Sequence, residues 1–246
     1  MNRTQGKTAA VAGFCLLWAL IVFATAAAAY GLAGDGALLA EEMRRCAPPE
    51  YTGLPDEHYQ EMGRMIAGYL TGNIPEFQYS FGGERDRTTC FQPHEAAHMA
   101  DCRGLISLAG IIRRIAGAAV LVLTGTGIAL RKYRKRFADG VFAGFFMAAA
   151  VFLTVLAWGL IDFDGLFTTF HKIAFTNDGW LLDSRTDMLI RLMPTAFFMS
   201  MGIRVLMAVT AAVLVSFGTA VTIRILDRKR EKTDVHLAEK ADHNAG

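Results

Sequence analysis

Four long apolar runs, at residues 8–33, 105–130, 141–161 and 196–223, constrain this chain more than any other feature. About 20 apolar residues coiled as a helix rise ~30 Å, the thickness of a bilayer's hydrocarbon core, where a helix satisfies its own backbone without water. The runs therefore predict an α-helical membrane protein with four transmembrane helices. Composition agrees: 53% hydrophobic side chains and a mean hydropathy of +0.30 are more than a soluble domain carries.

Charge predicts the orientation. Basic residues gather at Arg3 and Lys7, at Arg131, Lys132, Arg134, Lys135 and Arg136, and between positions 224 and 232. All three clusters flank apolar runs, so the positive-inside rule places them all in the cytoplasm. Both termini then lie inside, with a basic loop at 131–140 and a cytoplasmic tail at 224–246. The tail's charged composition after Arg228 reads as unstructured. Segments 34–104 and 162–195 lie outside. The first run ends in Ala24-Thr25-Ala26-Ala27-Ala28-Ala29-Tyr30, which resembles a signal-peptidase site. It is longer than the apolar core of a signal peptide, which favours an uncleaved helix.

Residues 34–104 turn polar and carry Pro48, Pro49, Pro55, Pro75, Gly82, Gly83 and Pro93 as breakers. About seventy residues make a small domain rather than a loop, here a small mixed extracytoplasmic cap between the first two membrane helices. Within it, residues 57–70 predict an amphipathic helix with Met62, Met65, Ile66 and Tyr69 on its apolar face. Phe77-Gln78-Tyr79-Ser80-Phe81 alternates as a half-buried strand does. Cys46 and Cys90 could pair as a disulfide outside the cell. Cys102, beside Asp101, reads either as a nucleophile or as a small buried hydrophobe.

The chemistry concentrates in Gln92-Pro93-His94-Glu95-Ala96-Ala97-His98-Met99-Ala100-Asp101, at the outer start of the second membrane segment. Pro93 suits a first helical position, and His94, His98 and Asp101 then share one face. Two readings stand. His94-Glu95-x-x-His98 is the zincin pattern, two histidines one turn apart with a glutamate base, to which Asp101 or a second histidine, His171, could add a third ligand. Alternatively His98 is a base oriented by Asp101 or Glu95, and His94 is a bystander. His171 stands among Phe167, Phe170 and Phe175 in the second outer segment, so both histidine stretches face the same side. Asp187 is expected to brace that segment, and Trp158 and Trp180 mark its interface. Arg113, Arg114 and Arg204 each fall about one bilayer thickness from a cytoplasmic basic cluster, where they can snorkel to headgroups, contact an ester or stabilise an oxyanion.

Taken together, Glu95-x-x-His98-Met99-x-Asp101, Trp158, Phe170-His171-x-x-x-Phe175, Trp180-Leu181-Leu182-Asp183 and Leu189-Ile190-x-Leu192-x-Pro194-x-x-Phe197-Phe198 resemble the lipoprotein intramolecular transacylase family of four-helix bacterial membrane proteins. The resemblance spans roughly residues 51–198; the cysteine at position 102, where a small aliphatic residue is expected, departs from it. What it implies is an acyltransferase of the bacterial cytoplasmic membrane, active at the outer leaflet, with no cofactor or metal. Its substrate is a diacylated lipoprotein, whose sn-2 acyl chain moves to its own α-amino group to give the N-acyl, S-monoacylglyceryl (lyso) form. The matching motifs make His98 and His171 the catalytic pair, with Asp101, Glu95 and Asp187 in support and Arg113, Arg114, Arg204 and Trp180 toward substrate or headgroup. Membrane lipids are the other expected partners, a monomer is the expected unit, and nothing suggests nucleic acid.

Overall fold

The computed structural model describes residues 3–83, 85 and 87–243. In chain order the helices are α1 (Arg3–Gly34), α2 (Gly36–Cys46), α3 (Pro49–Thr52), α4 (Tyr59–Thr71), α5 (Pro93–Ala129), α6 (Arg134–Ile161), α7 (Phe163–Ala174), α8 (Met188–Leu192) and α9 (Thr195–His243). Two short strands, β1 (Ser80–Phe81) and β2 (Thr88–Thr89), pair antiparallel between α4 and α5, with Ser80 opposite Thr89. Four helices among the described residues are long and apolar enough to cross a membrane, lying in α1, in α5, in residues leading into and through α6, and in the first 35 residues of α9. The chain is a multi-pass membrane protein.

Three elements differ from the sequence reading. The strand expected over residues 77–81 shrinks to its last two, because Phe77 is buried instead in an aromatic stack, 5.2 Å from Tyr69 and 4.5 Å from Phe91 between ring centres. The outer segment around His171, without assigned structure in the sequence, forms the twelve-residue helix α7. The tail beyond Arg228 continues α9 to His243, while residues 244–246 lie outside the described residues. Its Lys, Glu and Ala content favours helix, and extending an existing helix avoids the cost of nucleation.

Contacts divide the chain into two compact units. One comprises Met1–Phe23, Ile115–Leu153 and Val209–Gly246; the other comprises Ala24–Arg114 and Thr154–Ala208. In the first unit α1 and α6 approach backbone to backbone. A Cβ on Gly140 would lie 1.8 Å from the Ala10 carbonyl oxygen, and one on Gly13 would lie 2.1 Å from that of Phe137. Small residues at such crossings let membrane helices gain dispersion energy where no hydrophobic drive exists. Phe217 packs on Phe142 and Phe145 nearby.

The second unit holds the main buried core, built on Met43, Leu54, Tyr59, Met62, Ile66 and Leu192. Helix α4 supplies its apolar face to this core as its periodicity predicts. It meets α2 closely, since a Cβ on Gly63 would lie 2.2 Å from the Gly36 carbonyl oxygen. Arg191 of α8 donates to the carbonyls of Tyr51 (2.9 Å) and Thr52 (2.6 Å), fastening α8 to α3. Cys46 and Cys90 pack on the same core as free thiols, so the disulfide considered from the sequence does not form.

The α1–α6 crossing yields a prediction. Gly140→Ala overpacks it and lowers the melting temperature of the purified protein, at a cost of about 1–3 kcal/mol. Gly125→Ala, whose new methyl would meet nothing within 4 Å, leaves the melting temperature unchanged or slightly higher. Equal melting behaviour of the two variants would refute the close approach.

Candidate active site

The start of α5 is set by one carboxylate. Pro93 opens the helix, where a missing N–H costs nothing. Glu95, two residues on, is 0% exposed. It reaches back to accept from the backbone N–H of Gln92 at 2.8 Å and across to accept from that of Leu189 at 2.6 Å. The first bond is half of a capping box; the second ties the first turn of α5 to the first turn of α8. Beside it His94 Nε2 lies 3.0 Å from Asp187 Oδ2. Asp187 also accepts from the Asp183 N–H and the Thr186 hydroxyl, each at 2.8 Å. Burial alone would raise the Asp187 carboxyl, but the contacts from His94, Asp183 and Thr186 outweigh it and hold it below the usual range. Asp187 thus joins α5 to the stretch that leads into α8.

Helix α7 begins at Asp162, whose carboxylate caps the Gly165 N–H at 2.8 Å. It is strongly amphipathic, and His171 is the residue it buries. Together α5 and α7 bring the two histidines into one pocket. The imidazole centres of His98 and His171 are 6.3 Å apart, and each residue is 7% exposed. Phe175 lies 5.1 Å from His98 and 5.5 Å from His171; Phe167 and Trp180 lie 4.1 Å and 5.1 Å from His171. The two imidazoles that the family resemblance pairs thus lie side by side.

The protons can be placed by hydrogen bonding. His171 Nδ1 is 2.8 Å from the Phe167 carbonyl oxygen, which can only accept. Nδ1 therefore carries the hydrogen, and in the neutral ring Nε2 holds the lone pair. Burial pushes the His171 imidazole below the usual histidine range, more than the Phe167 carbonyl raises it. His98 Nε2 lies 3.5 Å from the Cys102 thiol sulfur, while His98 Nδ1 is buried with no protein partner. A buried unpartnered ring nitrogen is costly unless a bound molecule completes it.

Other expected roles are redistributed. Asp101 accepts from Asn177 Nδ2 at 2.9 Å, clamping the stretch after α7 to α5, and that bond takes the place of the expected one to His98. Glu95 is saturated by backbone donors, so it neither orients His98 nor can act as the base of a zincin site. With His94 turned to Asp187, the zincin helix has no ligand set: among the described residues no three His, Cys, Asp or Glu side chains gather at metal-binding range. Arg204 pairs with Glu42, Arg113 lies over the Tyr30 ring at 4.8 Å, and Arg114 is exposed. Asn177 carried no signal in the sequence, since a lone loop asparagine reads as a turn residue.

Fold and pocket together define a multi-pass membrane protein with a paired-imidazole site in an aromatic surround. A family model for lipoprotein intramolecular transacylase, Lit, matches residues 10–198, so the chain belongs to the Lit family, whose name makes its members acyltransferases of lipoproteins. It is similar to an in meso structure of the membrane integral lipoprotein intramolecular transacylase Lit from Bacillus cereus, with a TM-score of 0.72 and 16% identity over 91% of this chain and 99% of that one. Two variants of the Bacillus cereus protein, with one histidine replaced by arginine or by alanine, give TM-scores of 0.66 and 0.65 at 17% and 18% identity. They cover 93% and 92% of this chain, and 96% and 98% of their own. No curated protein matches the chain.

The Glu95 bonds yield a prediction. Glu95→Gln turns an amide NH₂ toward one of two backbone donors, leaving that donor buried and unpaired at a cost of about 1–3 kcal/mol. Thermal unfolding of the purified protein should show a lower melting temperature for Glu95→Gln than for the wild type. The reverse order would sink the assignment of Glu95 as the pin.

Proposed function

We propose that the protein moves the sn-2 acyl chain of a diacylglyceryl-cysteine to the α-amino group of the same cysteine. The product is the N-acyl, S-monoacylglyceryl form of the lipoprotein, made at the outer leaflet of the bacterial cytoplasmic membrane with both termini of the enzyme inside. The observation that carries this reading is the meeting of His98 and His171 in a buried aromatic pocket.

The reaction forms one N–C bond and breaks the sn-2 C–O bond, and a proton passes from nitrogen to the glycerol oxygen. His171 suits the proton transfer: Nδ1–H is held by the Phe167 carbonyl, so Nε2 can take the proton of the attacking amine and return it to the departing oxygen. His98 acts beside it, its unpartnered Nδ1 available for a polar atom of the ester or of the tetrahedral oxyanion. Nucleophile and ester belong to one molecule, so the attack is effectively unimolecular and asks for no enzyme nucleophile and no cofactor. Glu95, Asp187 and the Asp101–Asn177 bond hold the two helices in register, and Trp180 walls the pocket. Both imidazoles come from one chain, so a monomer suffices.

Mass spectrometry of a reporter lipoprotein's N-terminal lipopeptide tests this in cells carrying the wild type or a variant. His98→Ala and His171→Ala should each slow conversion to the lyso form by at least ~10²-fold. Undiminished conversion by His171→Ala would overturn the assignment. Cys102→Val should keep activity within a few-fold; its complete loss would point to a thioester intermediate on Cys102. The pH profile follows from His171. Its folded value lies below the ordinary 6.5, so the neutral base survives to lower pH and the acid limb of the rate should fall below pH 6.5.

A further inference from the structure

Outside the histidine pocket, one cluster of charge is unusual for where it sits. Glu42 of α2 is almost wholly buried and accepts from Arg45, from Ser200 at 2.9 Å and from Arg204. Burial would raise its carboxyl, but the two guanidinium groups and the Ser200 hydroxyl outweigh that and hold it at about 2. Glu42 is therefore ionised throughout the physiological range. Two arginines against one carboxylate leave the cluster with a net charge of +1.

The arginines are not exhausted by Glu42. The Arg45 side chain is 59% exposed and that of Arg204 is 37% exposed. Arg204 Nε is itself buried without a protein acceptor. Both side chains line, with Ser200, a cavity of about 440 Å³, whose remaining wall includes Met199, Ile203 and Met207. Those three recur at i, i+4 and i+8 on α9, and all three are exposed. α9 is one of the membrane-spanning helices, so an apolar stripe runs along a lipid-facing helix from a pair of fixed guanidinium groups.

We propose that Arg45 and Arg204 form a binding site for the phosphate of an anionic phospholipid, with an acyl chain lying along Ile203 and Met207 toward the membrane interior. The guanidinium fork matches phosphate oxygens, and Glu42 holds both forks in place before the ligand arrives, so little side-chain entropy is lost on binding. The net positive charge favours an anionic headgroup over a zwitterionic one, and the apolar stripe favours a lipid over free phosphate. A diacylglyceryl-cysteine carries no phosphate, so this lipid is a bound companion, and the site stands whether or not the proposed transfer reaction does.

The test is thermal unfolding of the purified full chain in detergent micelles, with phosphatidylglycerol, phosphatidylcholine or inorganic phosphate added. Phosphatidylglycerol at saturation should raise the melting temperature by roughly 5 °C or more. Phosphatidylcholine should give a clearly smaller shift and inorganic phosphate almost none. Arg45→Gln, which leaves Glu42 with Arg204 and Ser200, should lose most of the phosphatidylglycerol shift. Arg204→Lys, which keeps a cation beside Glu42 without the fork, should lose most of it too. Equal shifts with both lipids, a full shift with inorganic phosphate, or an unchanged shift in both variants would each overturn the site.

Discussion

The arrangement of this protein's site depends on a single buried carboxylate. Glu95 sits three positions past the residue that caps α5, and its two oxygens are taken by the backbone N–H groups of Gln92, three residues before it, and of Leu189, 94 residues after it. A charged acceptor with two short, well-directed donors is worth more than an ordinary hydrogen bond, and its burial raises the cost of losing either partner. It thereby holds the turn before His98 against the stretch leading to α8. The His94–Asp187 contact and the Gln92 side-chain bond to the Thr186 carbonyl repeat the same connection. The Asp101–Asn177 bond adds a second tie about two turns further along α5, to the stretch that follows α7.

Once α5 and α7 are held, the character of the pocket follows from its walls. Phe167, Phe175 and Trp180 exclude water around the imidazoles. Burial disfavours the charged form of His171. The Phe167 carbonyl selects which nitrogen is basic, a role often given to a carboxylate and here performed by the preceding turn of the same helix. In the proposed reaction such a site suits a substrate that carries its own nucleophile, for which the protein need only supply proximity, a proton path and a dry setting.

Particular residues show how much could be read beforehand. The four apolar runs, the amphipathic α4 and the helical start at Pro93 were legible because each rests on local periodicity. The pairing of His98 with His171 was legible only through a family resemblance that joins stretches more than seventy residues apart. The partners of Asp101, Glu95 and Arg204 were misread for one reason. Spacing along a helix shows which side chains could meet, whereas the partners these groups found, the donors Asn177 and Leu189 and the acceptor Glu42, lie on other elements. Helix α7 went unassigned because its Phe and Thr residues are indifferent helix formers, and its stability comes from packing one face and capping at Asp162.

By itself the sequence determined that this chain carries four helices long and apolar enough to cross a membrane, since hydrophobic run length acts one segment at a time. Tertiary structure alone decided which carboxylate holds, which acidic side chain Arg204 pairs with, and that two distant imidazoles share a pocket. Those outcomes turn on directional hydrogen bonds between segments far apart in the chain, and no local pattern specifies a bond whose other end lies elsewhere.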